Sequence, residues 1–353
     1  MSKPKISFLF IIFLTLILII VAQTMHSTHV PKFNRDGTFR ILQINDFQDT
    51  DKTNEKSLLF LNTLLDKYKP DLVVIVGDQL SDVFEDPTSA KIKTAIRNQL
   101  QPLENQNIPF LFTFGNHDRD YEDILTIEEQ AEVYHEFTTC LNAKTPYPGT
   151  TNLVIYDHKG LKPKLNIYMM DTHDWNKSGA NTGINRNQLH WYQTISNSLK
   201  LINHGEPLPS LIFQHIPVKE IYSLLEKVSP YSPDSVKCPF SDDWYILDKN
   251  VHWVGDFNVM KEAPSSENFS THTHQYESWL KQGDIIGAYF GHDHFNSFVG
   301  ETKDGIILGY NPSFGFATYG DDEERYARIF DFNEKNIMNY TQTTISYSEC
   351  MSK

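Results

Sequence analysis

Three cysteines in 353 residues (Cys140, Cys238 and Cys350) are too few for a disulfide framework. One pair can bridge in an oxidising compartment and leave a free thiol, and the spacing is not that of a zinc site. A surplus of positive charge is also missing: 31 Lys and Arg stand against 45 Asp and Glu, a formal net charge of −14. Phosphate backbones are bound by excess Lys and Arg, so no nucleic-acid partner is expected. The chain has no Gly-rich phosphate loop and no G-x-S-x-G elbow. Those absences argue against a nucleotide-binding module and against a serine nucleophile. Internal repeats and low-complexity tracts are absent too, and one catalytic domain of about 300 residues fits better than two.

What is present is enough for a sizeable core, with 40% hydrophobic and 22% charged residues. The one long apolar run is at the N-terminus, where Lys3 and Lys5 precede residues 6–22, interrupted only by Ser7 and Thr15. A basic segment followed by an apolar one is the pattern of a secretory signal. Its length is at the lower limit for spanning a bilayer, roughly 17–25 residues. It reads either as a cleaved signal or as an uncleaved signal-anchor, with membrane attachment through residues 6–22. Secreted, lumenal or membrane-anchored placement in the secretory pathway is the expectation. Sequons at Asn176, Asn268 and Asn339 agree with export. Residues 1–23 are thus assigned to the leader, 24–37 to a linker, 38–335 to the catalytic domain and 336–353 to a C-terminal tail.

From Phe39 onward apolar strands alternate with amphipathic helices. A strand at Arg40–Ile44 leads to a helix over Glu55–Tyr68, whose Leu58, Leu61, Leu64, Leu65 and Tyr68 share one face. Pro70 ends it. Strand Leu72–Val76, a helix near Ser89–Gln101 and strand Phe110–Phe114 complete a βαβαβ pattern, which favours a parallel sheet with right-handed crossovers. A helix over Thr126–Phe137, strands Leu153–Tyr156 and Leu165–Met170, a helix over Asn187–Ile202 and strand Ser210–Phe213 follow. Residues 228–274 show no sustained period and read as a long loop over the site, where substrate selectivity often resides. Strands Asp284–Phe290, Asn296–Val299, Gly305–Tyr310 and Ala327–Phe332 close the domain.

Five of these apolar runs end in residues that can bind a metal. The endings are Asp46, Gly77-Asp78, Gly115-Asn116-His117-Asp118, His215 and Gly291-His292-Asp293-His294. Ligands at strand ends, drawn from distant parts of a chain, are how an α/β protein builds a site at one edge of its sheets. A single Asp after a strand is usually a turn or cap residue, and a single His usually packs. The conjunction reverses both readings. Asp78 is the natural bridge between two ions, with Asp46 and His294 completing one shell and Asn116, His215 and His292 the other. The mixed oxygen and imidazole set suits Fe, Zn or Mn better than Ca. Two carboxylates against two divalent or trivalent ions leave the site cationic, matched to a phosphorylated small molecule or protein. His117 is placed to donate a proton to the leaving oxygen or to steady the transition-state charge.

These blocks, in this order and spacing, resemble the calcineurin-like metallophosphoesterase superfamily. The stretch His292–Gly300, Ser313-Phe314-Gly315-Phe316, Tyr319-Gly320 and Arg325–Arg328 extend the likeness to its small purple-acid-phosphatase-like branch of plants, fungi and protists. The resemblance covers roughly residues 38–333. It implies an α/β fold, a two-sheet α-β-β-α sandwich, with ligands on loops at strand ends. It also implies phosphomonoester hydrolysis by attack of a metal-bound hydroxide. Two departures stand out: Gln48 replaces the histidine of the opening D-x-H, and Ser81 stands where an iron-binding tyrosine occurs. Loss of that phenolate argues against a purple ferric centre, and an amide oxygen at Gln48 is a weaker ligand than imidazole. The expected activity is a phosphatase. A phosphodiesterase of the same fold is the alternative, and so is a weakly active, membrane-tethered binding protein favoured by Gln48.

Other residues are weaker candidates. His272-Thr273-His274 reads as solvated loop, Asp171-Thr172-His173-Asp174 as a turn, and Trp244, Tyr245, Trp253 and Phe257 as core or cleft wall. Arg186 and Arg325 are candidates for phosphate binding, or for surface ion pairs.

Overall fold

The computed structural model describes residues 30–174, 183–239, 241–265, 274–321 and 323–352. The leader at residues 6–22, the sequons at Asn176 and Asn268, and His272 lie outside them. Among the described residues no helix is long and apolar enough to cross a membrane.

Two sheets face each other. The first has the order β15-β14-β1-β2-β3, built from β1 (Thr38–Ile44), β2 (Leu72–Val76), β3 (Phe110–Thr113), β14 (Tyr326–Asn333) and β15 (Thr341–Ser346). In it β1, β2 and β3 run parallel, as the βαβαβ pattern predicts. The second contains β4 (Thr151–Tyr156), β5 (Pro163–Met170), β6 (Ser210–Gln214), β10 (His252–Trp253), β11 (Ile285–Phe290), β12 (Val299–Glu301) and β13 (Ile307–Tyr310). Its order is β10-β12-β13-β11-β6-β5-β4. Helices α1 (Glu55–Tyr68), α2 (Ser89–Asn105) and α3 (Ile127–Tyr134) cover the outer face of the first sheet. Helices α4 (Arg186–Ile202) and α5 (Gln275–Gln282) cover the second.

The two-residue period of a strand explains the layering. In β2, Val73 and Ile75 point to the helices while Leu72, Val74 and Val76 enter the space between the sheets. In β5 and β6, Tyr168, Met170 and Ile212 face α4 and α5, while Ile167, Met169, Leu211 and Phe213 meet the first sheet. Strands β2 and β11 are apolar on both faces because both faces are covered. The helices start where their caps dictate: Asn54 accepts from Lys56 N before α1, and Thr126 with Glu129 forms a capping box before α3.

Four expectations need correction. Residues 225–253 are not a structureless loop: β7 (Leu225–Val228), β8 (Val236–Lys237) and β9 (Trp244–Leu247) form a small sheet of order β7-β9-β8, and β10 joins the second sheet. These strands are too short for their alternation to show as a period. Residues 24–37 are not all linker, since Phe33 is buried and Lys32 bridges to Tyr156. Residues 336–353 are not a tail. Strand β15 pairs with β14 along its length, and α6 (Tyr347–Met351) packs on α1, with the Tyr347 ring edge-on to Phe60. Alternation in Thr341–Ser346 is mostly polar, so its burial was not visible from pattern. Among the described residues no pair of the three cysteines forms a disulfide.

Ending the chain after residue 335 therefore removes an edge strand and uncovers the Ile345 and Cys350 side of the core. Denaturant unfolding should show a loss of roughly 3 kcal/mol or more, or an insoluble product. An unchanged midpoint would restore the tail reading.

Candidate metal centre

All five strand-end blocks arrive at one place. Strands β1, β2 and β3 of the first sheet deliver Asp46, Asp78 and Asn116 just past their C-terminal ends. Strands β6 and β11 of the second sheet deliver His215, His292 and His294. The turns there are sharp: Asp46 (φ +53°), Gln48 (+40°), Asp78 (+52°) and His292 (+78°) all adopt the left-handed region. Such conformations cost about 1–3 kcal/mol each for L residues and persist where surrounding contacts over-determine them. One such contact is the approach of Gly77 to Gly115, so close that a Cβ on Gly77 would lie 2.6 Å from the Gly115 nitrogen. Asp118 ties the same loops, its carboxylate accepting N–H bonds from Asp78, Gln79, Leu80 and Gly115.

The distances define a compact cluster. Asp78 Oδ2 is 3.0 Å from His215 Nε2, and His292 Nδ1 is 3.3 Å from the same nitrogen. Asp46 Oδ1 is 3.3 Å from His294 Nε2 and 3.8 Å from His215 Nε2. One ligand atom from each of Asp78, His215 and His292 falls within 4.8 Å of the others. Asn116 Oδ1 is buried with no hydrogen-bond partner, and Asp46 Oδ1 has only the imidazoles beside it. Two of the other ring nitrogens are committed elsewhere: His215 Nδ1 donates to Val76 O at 2.9 Å and His294 Nδ1 to Tyr319 O at 2.8 Å. Those bonds fix the tautomers and aim each Nε2 inward, the outer support that metal-ligating imidazoles require.

Charge follows geometry. Burial opposes a positive His215, yet Asp78 and Asp46 carry its imidazole up to about 10. Burial likewise opposes a charged His294, and Asp46 outweighs it and raises that imidazole. Burial, with His215 alongside, pushes His292 down to about 3. Burial would raise Asp78, but His215 holds the carboxyl below its ordinary range; Asp46 is lowered against burial by His294 and His215. A proton on an imidazole Nε2 facing a carboxylate stands where a cation would go. The orphaned Asn116 oxygen, the inward Nε2 atoms and the mixed O/N set all fit divalent metal ions.

His117 lies on the rim, partly exposed. Its backbone N–H donates to Asp78 Oδ1 at 2.8 Å, and its Nδ1 pairs with Asp120 Oδ2 at 2.7 Å. Burial opposes its charge, but the Asp120 hydrogen bond and the Asp78 charge raise it to about 9. Asp120 was not singled out in the sequence, although an acid three residues after a candidate histidine is a detectable pattern. Gln48 is buried at 1% exposure, and its amide nitrogen donates to Asp78 Oδ2 at 3.2 Å. Its amide oxygen accepts from the Thr318 hydroxyl.

A cleft of about 590 Å³ opens over the centre, with Asp78, Asn116, His117, His292 and His294 on its floor. Its wall comes from residues 236–239 and 261–265, including Lys237, Lys261 and Glu262. That wall is bound to the histidine loop. Glu262 accepts from Phe295 N, Asn296 Oδ1 from Lys261 N, and Asp293 from the Ser265 hydroxyl. Burial and the nearby Asp293 push Glu262 up to about 7. The weaker candidates fall elsewhere. Arg325 is buried, donating to the carbonyls of Gly315, Thr318 and Glu324, which leaves no role in phosphate binding. Asp171 pairs with Arg119 at 2.6 Å, His173 with Gln188, and exposed His274 with Glu277. Asp49 accepts from Thr50 N and Asn54 N, shaping the turn into α1.

The calcineurin-like phosphoesterase family profile matches residues 39–296. A protein of Arabidopsis thaliana named "Probable inactive purple acid phosphatase 29" is 26% identical over 344 residues, spanning 86% of this chain and 79% of that protein. "Probable inactive purple acid phosphatase 14" of the same plant is 24% identical over 328 residues, spanning 82% and 73%. Among solved structures, GAP50, the anchor in the inner membrane complex of Plasmodium, aligns over 88% of this chain and 85% of its own at 9% identity, with a TM-score of 0.45.

Because His215 is held up to about 10 without metal, at pH 7 an entering ion must displace its Nε2 proton. Metal affinity should therefore rise as pH rises. Calorimetry of Mn2+ binding in buffers of different ionisation enthalpy should show proton release, and buffer-independent heats would contradict it.

Proposed function

Since the chain belongs to the calcineurin-like phosphoesterase family, we propose that it is a metal-dependent phosphatase, hydrolysing phosphoric monoesters at the strand-end centre. The observation that carries this reading is the convergence of Asp46, Asp78, Asn116, His215, His292 and His294, with His117 on the rim of an open cleft. Asp78, Asn116, His215 and His292 would hold one ion, and Asp46 and His294, sharing Asp78, the other. When bound, such ions lower the pKa of a water and offset charge on phosphoryl oxygens.

The chain's own residues supply the rest. The bond from His117 N–H to Asp78 Oδ1 couples the acid's position to the ligand loop. The Asp120 carboxylate holds Nδ1, so Nε2 is the ring atom left to give a proton to the departing alkoxide. Leaving groups of varied size fit a cleft that is wide and open to solvent. A monoester dianion suits a cationic site better than a diester monoanion, which makes the monoesterase the first reading and the diesterase the second. The weakly active binding protein is a third reading, favoured by Gln48 and by the word "inactive" in the relatives' names. The proposal that the chain enters the secretory pathway rests on Lys3, Lys5 and residues 6–22.

Turnover of p-nitrophenyl phosphate and of bis-p-nitrophenyl phosphate, measured with Mn, Zn and Fe, separates the three readings. The monoester should be preferred, and no turnover with any metal would favour the binding protein. His117→Ala should lower kcat about 100- to 10,000-fold with metal content unchanged. Asp120→Asn should cost less and shift the alkaline limb of the pH profile downward, because the carboxylate that keeps His117 protonated is gone. Unchanged rates in His117→Ala would remove that residue from the mechanism.

A further inference from the structure

The two halves of the centre are built unequally. Asp78, His215 and His292 already gather their ligand atoms, and Asn116 adds a buried oxygen without a partner. In the other half Asp46 and His294 face each other, Asp78 is shared, and the remaining side chain beside Asp78 Oδ2 is Gln48. An ion there would gain a fourth protein ligand from a Gln48 lone pair, but the carboxamide is turned the wrong way. Nε2, which has no lone pair to coordinate, donates to Asp78 Oδ2, the oxygen an ion would share. The amide oxygen is occupied by the Thr318 hydroxyl.

That orientation is locked from behind. Arg325 Nη2 donates to Thr318 O at 2.9 Å, fixing the residue whose hydroxyl reaches Gln48. The next residue, Tyr319, accepts from His294 Nδ1 and stacks its ring on that imidazole at 3.8 Å between centroids. One short segment thus sets both Gln48 and His294. Rotating the amide would place its oxygen against the Asp78 carboxylate and surrender the Asp78 hydrogen bond. Gln48 and Asp78 are each 1% exposed, so water does not soften that opposition.

We infer that this chain holds one ion tightly, on Asp78, Asn116, His215 and His292, and that Gln48, locked by Thr318, keeps the Asp46–His294 position weak. The inference rests on the metal-dependent reading above, and it concerns ion number, not turnover. The amide donor stands in for part of the second ion by compensating Asp78 Oδ2. The centre therefore fills in sequence as ion concentration rises, and does not load as a pair.

The test is Mn2+ titration of the full chain, followed by metal analysis after desalting and by electron paramagnetic resonance. Wild type should retain one ion per chain with the resolved hyperfine signal of an isolated Mn2+. Its second ion should bind at least about 10-fold more weakly. Gln48→His should retain two, with an exchange-coupled signal. Gln48→Glu, closer in shape to the native residue, should also gain the second ion if the histidine variant fails to fold. Two equally tight ions in wild type would overturn the inference and leave the hydrolase reading standing. One ion in both wild type and the folded variants would remove Gln48 as the cause. No retained ion in any form would overturn the inference together with the metal reading. Expected ion content without phosphatase activity would leave the inference intact and reject the hydrolase.

Discussion

Two carboxylates, Asp46 and Asp78, are buried at 0% and 1% exposure beside each other, and compensating them is the constraint on which the rest depends. Buried like charges are costly unless paired, and here imidazoles from the opposite sheet do the pairing. That requirement couples the two sheets at one edge. It explains why backbone of the disfavoured left-handed kind is kept at Asp46, Gln48, Asp78 and His292. It also explains the close approach of Gly77 to Gly115, and the four N–H bonds gathered by Asp118. Burial and Asp78 push Asp118 up to about 6, a cost of packing a third acid behind the first two. Cations would relieve all three.

The same arrangement separates a hydrogen-bonded floor from a wall built on other segments. The floor consists of strand ends whose side chains are held by outer hydrogen bonds to Val76 O and Tyr319 O. The wall, from residues 236–239 and 261–265, comes from the small sheet and from the loop after β10. It is fastened to the histidine loop through Glu262, Asn296 and Asp293. A change of wall can therefore alter what enters the cleft without moving the ligands, consistent with function carried on segments that a scaffold positions.

Gln48 is the position at which the proposed centre departs from a full set of metal-type side chains. A histidine there would offer a ring-nitrogen lone pair beside Asp78. The glutamine instead presents a donor to Asp78 and an acceptor to Thr318, satisfying both polar ends in a buried place. The substitution is chemically coherent with its surroundings: the hydrogen bonds it makes close a network running from Arg325 through Thr318 to Asp78.

The sequence by itself determined the layered α/β architecture, the parallel β1-β2-β3 unit, and the convergence of strand-end residues of metal-binding type. Those features are local. Apolar alternation, caps such as Thr126 and Asn54, and a metal-type residue immediately after a strand are all written within a few neighbouring positions. Only the tertiary structure decided that residues 341–346 complete a sheet, because a mostly polar edge strand carries little pattern and gains its place by pairing with β14. Only it showed Asp120 on His117, Tyr319 on His294, and the wall built from β8 and the loop after β10. The face that Gln48 turns to Asp78 was likewise beyond sequence, since it is set by Thr318, 270 positions away. Strand ends announce themselves locally. The direction of a side-chain hydrogen bond depends on which distant residue the fold brings opposite it.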